Sequence, residues 1–341
     1  MIGGESVQPV RRRAHQLRRR ELMLLLAGAA VASPSSSYPQ QPTPVIGWLS
    51  VGSAASDKGV RLPALHRGLN EAGYREGKNL TIEYRWAEGE YDRLPGLAAD
   101  LVRRRVNVIV TPGAPPAFAA KAATSAIPIV FNQGLDPVQS GLIASFNRPG
   151  GNITGVAVMT AQLAGKKLDL MHELVPKAVL ALLVHSANPV TEPETSNLHA
   201  AARALGLQPH VLQASTPREI DGAFETLVER RAGAFVVSGD PFFTNQADQI
   251  VGLAARHGVP TIYSCRQFVA AGGLMIYGPD LADAYRLVGI HTGKILNGAS
   301  PADLPVEQVV KVEFVINVNT AKTLGLTIPQ TILARADDVI E

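Results

Sequence analysis

The chain repeats itself once at low identity, and that repetition limits the fold more than any single residue does. Asp92–Asn132 reads DRLPGLAADLVRRRVNVIVTPGAPPAFAAKAATSAIPIVFN, and Arg218–Ser264 follows the same plan from REIDGAFETLVERRAGAFVVSGDP to IVGLAARHGVPTIYS. Each stretch is an amphipathic helix ending in arginines, an apolar strand closing on a Gly turn, a second helix, and a short strand opened by Pro128 or Pro260. Upstream of each lies another apolar run of strand length, Val45–Ser50 and Val179–His185, followed by a helix closing at Ala72-Gly73 or Leu205-Gly206. Strands alternating with helices of this length predict parallel sheets covered on both faces. Two such halves in one chain predict an α/β protein of two Rossmann-like lobes with a cleft between them, an architecture suited to capturing a ligand.

The first forty or so residues read as an address. Arg11–Arg13 and Arg18–Arg20 precede the apolar run Leu22–Ala32, which ends in Ala30-Val31-Ala32. A basic region, a short apolar core and an A-x-A site predict a cleavable secretory signal. The run is too short for the ~20 residues of a membrane-spanning helix. Arg19-Arg20-Glu21-Leu22-Met23 also loosely resembles a twin-arginine export motif, so either export route is open. Export places the mature protein in the periplasm, with Ser33–Pro44 as a flexible lead.

That leader matters for charge. Residues 1–41 hold six Arg and two Glu, so the formal +3 of the whole chain becomes about −1 for the remainder, with 26 basic and 27 acidic residues. A nucleic-acid partner would need a basic face on the folded domain, and none is expected. The single cysteine, Cys265, excludes an intrachain disulfide. Some 300 remaining residues suit two ordinary domains. Residues 42–158 are assigned to an N-terminal lobe, 159–311 to a C-terminal lobe, and 312–341 are expected to return to the first. The crossings near Val156–Met159, Tyr277–Asp280 and Val306–Val315 are expected to form a hinge.

In open parallel sheets, ligands bind beyond the carboxyl ends of the strands, where helix N-termini leave free N–H groups. Reading off those ends gives Ser50 and Ser53, then Thr111 with Gly113 and Ala114, then Gln133 with Asp136. The second half offers Asn188, then Asp240, then Tyr263 with Gln267 and Phe268, and finally Tyr277. Thr111 and the Gly113–Ala114 helix start suit a carboxylate; Asp136 or Asp240 suits an ammonium. Tyr263, Phe268, Tyr277 or Trp48 would face an apolar or aromatic body. Ser, Asp, Asn and Pro at these places are equally normal helix caps, and Trp48 and Trp86, inside strand runs, suit the core. No phosphate-binding loop, dinucleotide fingerprint or nucleophile elbow is present, and the eight histidines include no pair at metal spacing. Neither a cofactor, a metal nor an enzymatic activity is expected; Cys265 at a strand end lacks a matching base in the other half, which has Gln133 there.

Five stretches carry a family stamp: Asn79–Trp86 (NLTIEYRW), Ile127–Pro137 (IPIVFNQGLDP), Arg148–Gly155 (RPGGNITG), Phe268–Asp280 (FVAAGGLMIYGPD) and Phe314–Glu341 (FVINVNTAKTLGLTIPQTILARADDVIE). Together they closely resemble the ABC-transporter substrate-binding proteins that include tryptophan-binding TrpX-type lipoproteins, over nearly all of the chain beyond the leader. The resemblance implies a type I periplasmic binding-protein fold, a small ligand held between the lobes, a monomer, and delivery to an inner-membrane permease with a cytoplasmic ATPase. It also implies ligand contacts in the loops at Ser50–Ser53, Thr111–Ala114, Gln133–Asp136, Asp240 and Tyr263–Phe268. No cysteine follows the apolar run where a lipoprotein would have one, so a soluble periplasmic form is expected. A ligand-sensing domain of a receptor or regulator shares the fold but would need a helix-turn-helix or membrane segment. An exported α/β enzyme would need a catalytic constellation.

Overall fold

The computed structural model describes residues 43–341, together with Met1 and Gly3; the leader and its Ala30-Val31-Ala32 site lie outside the described residues. Two sheets carry the fold. The first holds β1 (Val45–Ser50), β2 (Thr81–Trp86), β3 (Val108–Pro112), β4 (Ile129–Gln133) and β5 (Ile153–Ala157). The second holds β6 (Val179–Val184), β7 (His210–Gln213), β8 (Ala232–Val237), β9 (Thr261–Tyr263) and β10 (Met275–Pro279). The strand order is β2-β1-β3-β4-β5 in one and β7-β6-β8-β9-β10 in the other, all parallel. The repeat in the sequence is thus a repeat of topology. The central strands β1, β3 and β4 are buried almost throughout because helices cover both faces.

Each half gives its last helix to the other. After β5, helix Ala164–Leu174 packs against β6 and β8 of the second sheet, burying Leu168, Met171 and Leu174 with Leu180, Leu182 and Val236. After β10, helix Leu281–Leu296 packs back on the first sheet, burying Ala284, Tyr285 and Val288 with Ile46, Leu65 and Val110. The short β11 (Glu307–Gln308) then adds to the first sheet beside β5.

The tail differs from expectation. Residues 312–341 do not return to the first lobe: β12 (Val312–Asn317) lies antiparallel to β10, and β13 (Asp338–Ile340) runs beside it in the second sheet. Phe314, Ile316, Ala321 and Ile332 are buried against the second lobe's core, which is what holds the tail there. Residues 281–308, assigned above to the C-terminal lobe, belong to the first. The chain therefore passes between the sheets three times, at 158–163, at 280 and at 309–311. The helix expected to close at Ala72-Gly73 is broken at Val60 into Ala54–Gly59 and Arg61–Glu71.

The exchanged helix Leu281–Leu296 lies unusually close to Arg61–Glu71. A Cβ at Gly68 would lie 1.9 Å from the Arg286 carbonyl oxygen, and one at Gly289 would lie 2.3 Å from that of Leu65. Two glycines facing each other allow the backbones to touch, and a methyl at either would force them apart. Gly289→Ala is expected to cost on the order of 1–3 kcal/mol through overpacking, read as a lower midpoint in urea with an unchanged slope. Wild-type stability in this variant would show that the crossing can relax.

Candidate functional site

The carboxyl ends of both sheets point at one interlobe cavity, the place where open parallel sheets bind ligands. The lobes are shut over it. Tyr91 reaches from the first lobe to donate to Asp240 Oδ2 at 2.8 Å, and its ring stacks on His185 with centroids 4.3 Å apart. The Ser53 N–H meets Asn245 Oδ1 at 3.3 Å, also across the cleft. Burial, and then the Asp240 charge, push the Tyr91 pKa well above its ordinary value, so the hydroxyl keeps the proton it donates.

The first-lobe wall is organised by Asp57, which is fully buried. Its Oδ2 accepts from both indoles, Trp48 Nε1 at 2.8 Å and Trp86 Nε1 at 3.0 Å, and its Oδ1 accepts from Arg61 Nη1 at 2.9 Å. Trp48 and Trp86 sit on neighbouring strands, β1 and β2, so the carboxylate ties the sheet to the helix above it. Arg61 lines the cavity at 5% exposure. Burial works against its charge, yet Tyr285, Asp57 and Cys265 beside it raise its pKa, so the guanidinium stays cationic. Its Nε is buried with no partner, as are Asn132 Nδ2, both polar atoms of Gln133, and Thr160 Oγ1. All four residues line the cavity. Orphaned buried polar atoms are costly, and four residues of them around one cavity mark a surface built for a polar ligand.

Gly113, with φ +106°, turns the chain from β3 into helix Ala114–Ala123 at the cavity edge. Its N–H is engaged by the Asn132 carbonyl at 2.6 Å, and Pro115 and Pro116 have no N–H to offer. This helix start therefore presents few donors.

On the second-lobe wall, Asp240 caps helix Pro241–Asn245 through Oδ1, which accepts from Phe242 N at 2.6 Å. Its Oδ2 accepts from Asn188 Nδ2 at 2.5 Å as well as from Tyr91. Ser264 accepts from Lys167 Nζ at 2.7 Å and gives its own proton to the Val237 carbonyl at 3.2 Å. Lys167 also lies 3.4 Å from Glu194, another fully buried side chain, whose pKa burial raises. Burial also raises the Cys265 thiol, which lines the cavity.

Of the residues singled out from the sequence, Gly113, Ala114, Gln133, Asn188, Asp240 and Phe268 line the cavity. Ser50 lies buried behind it, accepting from Gly52 N at 3.0 Å, and Ser53 caps helix Ala54–Gly59. Thr111 is buried within β3 with an unpartnered hydroxyl and does not reach the lining. Asp136 caps its own loop through Val138 N and Gln139 N and faces a separate outer groove. Tyr263 stacks on Phe268 at 4.5 Å inside the second core, half-buried Gln267 lies outside the lining with its amide atoms unpartnered, and Tyr277 meets Phe314 edge-on. The sequence reading missed Arg61, Thr160 and Tyr285, all in the lining. One signal for Arg61 was visible: Asp57 stands four residues before it, the spacing of neighbours on a helix. Among the described residues no His/Cys/Asp/Glu cluster could hold a metal, and no helix is long and apolar enough to cross a membrane.

Two parallel sheets of equal strand order, exchanged helices and three chain passages beside a closed cavity define a type I periplasmic binding-protein fold. Residues 57–340 match the family described as ABC transporter substrate binding protein, and the chain belongs to that family. It is 28% identical over 265 residues to a tyrosine-binding protein of Clostridioides difficile (strain R20291), covering 76% of this chain and 75% of the relative. The structure of an ABC domain in complex with L-Trp from Streptococcus pneumonia superposes with a TM-score of 0.79 at 26% identity, covering 87% of this chain and all of that one. A ligand-free, open substrate-binding protein with adhesive properties from Clostridium difficile superposes with a TM-score of 0.61 at 22% identity, covering 87% of this chain and 99% of that one.

Closure can be read without knowing the ligand, because Cys265 is the one thiol in the chain and lies inside the cleft. Tyr91→Phe removes a hydrogen bond to a charged group that exists only between shut lobes, an interaction of about 1.5–3 kcal/mol. The variant is expected to expose Cys265 to a thiol reagent roughly tenfold faster or more, with little change in its unfolding midpoint. An unchanged labelling rate would show that Tyr91 does not hold the lobes together.

Proposed function

We propose that the protein is the periplasmic solute-binding component of an ABC uptake system. It captures a small carboxylated ligand, an amino acid or aromatic acid, between its lobes and delivers it as a monomer to an inner-membrane permease driven by an ATPase. The observation that carries this reading is the set of buried, unpartnered polar atoms of Arg61, Asn132, Gln133 and Thr160 around a closed interlobe cavity. The similarity to proteins named for tyrosine and complexed with L-Trp supports an aromatic amino acid in particular. Apolar surface for such a side chain comes from Phe268, Val190, Leu281 and Pro241 in the same lining.

Among the strand-end residues, Gly113, Ala114, Gln133, Asn188, Asp240 and Phe268 are proposed to touch the ligand. Ligand entry needs the lobes to part about the three chain passages, and a ligand touching both walls stabilises the shut state through contacts that the open state lacks. The basic N-terminal segment with Ala30-Val31-Ala32 is proposed to direct export and to be removed near Ala32, giving a soluble periplasmic protein.

The test is titration calorimetry of the refolded protein with L-tryptophan and L-tyrosine, alongside the rate of Cys265 labelling. Binding of one of them is expected, with labelling slowed in proportion to occupancy. Failure of both to bind, together with the absence of any co-purifying carboxylate by mass spectrometry, would remove this reading.

A further inference from the structure

We propose that Arg61 holds the ligand's carboxylate and that Asp57 is the residue that positions it, an inference resting on the amino-acid reading above. The helix start at Gly113 was the expected anion site, but little of it is free: the Gly113 N–H is bonded to the Asn132 carbonyl, and Pro115 and Pro116 have none. What remains there is the partial charge of one helix end. Arg61 brings a guanidinium to the same wall, 5% exposed, in the cavity lining and ion-paired to Asp57 through Nη1 alone.

The geometry around Asp57 explains why part of that guanidinium is available. Both indoles donate to Oδ2, so this oxygen is saturated, and the guanidinium bonds only Oδ1 through Nη1. A guanidinium is a planar fork of five donors that suits a carboxylate two bonds at a time. With Nη1 engaged, the side of the fork that carries Nε is left over, and Nε is buried with no partner. Asn132 Nδ2, equally buried and unpartnered, lines the same cavity. Donors of this kind, shut away from water, call for an acceptor that carries charge. The carboxylate of Asp57 cannot be that acceptor, because its three bonds are already made.

The opposite wall has the reverse character. There Asp240 lines the cavity as a carboxylate whose hydrogen-bond donors, Tyr91, Asn188 and Phe242 N, are all uncharged. The cavity therefore has a guanidinium with an unpartnered Nε edge on its first-lobe side and a carboxylate bonded only to uncharged donors on its second-lobe side. An α-amino acid fits it in one orientation, carboxylate to Arg61 and ammonium to the second lobe. An amine or amide lacking the carboxylate leaves the Nε edge of the Arg61 guanidinium buried without an acceptor.

The experiment compares acid with amide. Refolded wild-type protein is titrated with L-tryptophan and L-tyrosine, their amides, and the amines tryptamine and tyramine. The acids are expected to bind about tenfold to a hundredfold or more tighter than the amides, the range of a lost bond to a charged group. Arg61→Gln is expected to abolish that preference while leaving the weak amide affinity in place. Asp57→Asn, which keeps an acceptor for the indoles but frees Arg61 from its ion pair, is expected to narrow the preference without abolishing it. If Arg61→Gln does not fold, the paired variant Asp57→Asn/Arg61→Gln leaves no unpaired buried charge and is used instead. A folded variant that still prefers acid to amide as strongly as wild type overturns the assignment of Arg61, and a wild type indifferent between acid and amide does the same while the amino-acid reading stands. If no amino acid binds, the comparison is repeated by thermal shift with indole-3-acetate and 4-hydroxyphenylacetate and their amides. Preference for those acids supports Arg61 against the amino-acid reading, and no stabilisation by any carboxylate overturns it.

Discussion

The close crossing of helices Arg61–Glu71 and Leu281–Leu296 is the contact on which the arrangement of both lobes depends. The second helix follows β10 of one sheet yet packs on the other, so the polypeptide must cross the cleft to make it. Gly68 and Gly289 let the two backbones meet. One turn from Gly289 along its helix stands Tyr285, and two turns from Gly68 stands Arg61; both line the cavity. The same contact that joins the lobes therefore places two groups of the site. A packing requirement and a binding requirement are met by one helix pair.

Around that crossing the site is built from charges that are compensated locally. Asp57 is solvated by two indoles and a guanidinium, Asp240 by a tyrosine, an amide and a backbone N–H, and Glu194 by Lys167. A buried ion with several donors is tolerable where a bare one is not. The exceptions stand out against this background. Arg61 Nε, Asn132 Nδ2, the Gln133 amide and Thr160 Oγ1 are left without partners, and all four residues line the cavity, although other unpartnered buried atoms, such as Thr111 Oγ1 and Glu194 Oε2, lie outside it. Tyr91 serves a different purpose: its bond to Asp240 and its stacking on His185 exist only when the lobes are shut.

Much of this was legible in the chain. The internal repeat forecast two parallel sheets, and their common strand order follows from it. The strand ends named Gly113, Ala114, Gln133, Asn188, Asp240 and Phe268, because a parallel sheet opens its site at its carboxyl edge whatever the side chains are. The destination of the last segments was harder. Residues 159–311 were assigned to the second lobe, which holds for helix Ala164–Leu174 but not for Leu281–Leu296, which packs on the first sheet. Apolar periodicity on a helix says that one face is covered and does not say by which sheet. The same ambiguity misplaced residues 312–341: Phe314, Ile316 and Ile332 needed a core, and either lobe had one.

What the sequence alone determined is the class of fold, its duplication and the strand ends at which a ligand would sit, since hydrophobic period and turn chemistry are local properties. Tertiary structure decided which of those strand-end residues reach the cavity. Thr111 faces into β3, Asp136 caps its own loop, and Tyr263 and Tyr277 fill the second core, although each stands at an equally plausible position in the chain. It also decided that Arg61 belongs to the site. That depends on two tryptophans from adjacent strands occupying one oxygen of Asp57, a coincidence of three elements that no local pattern records.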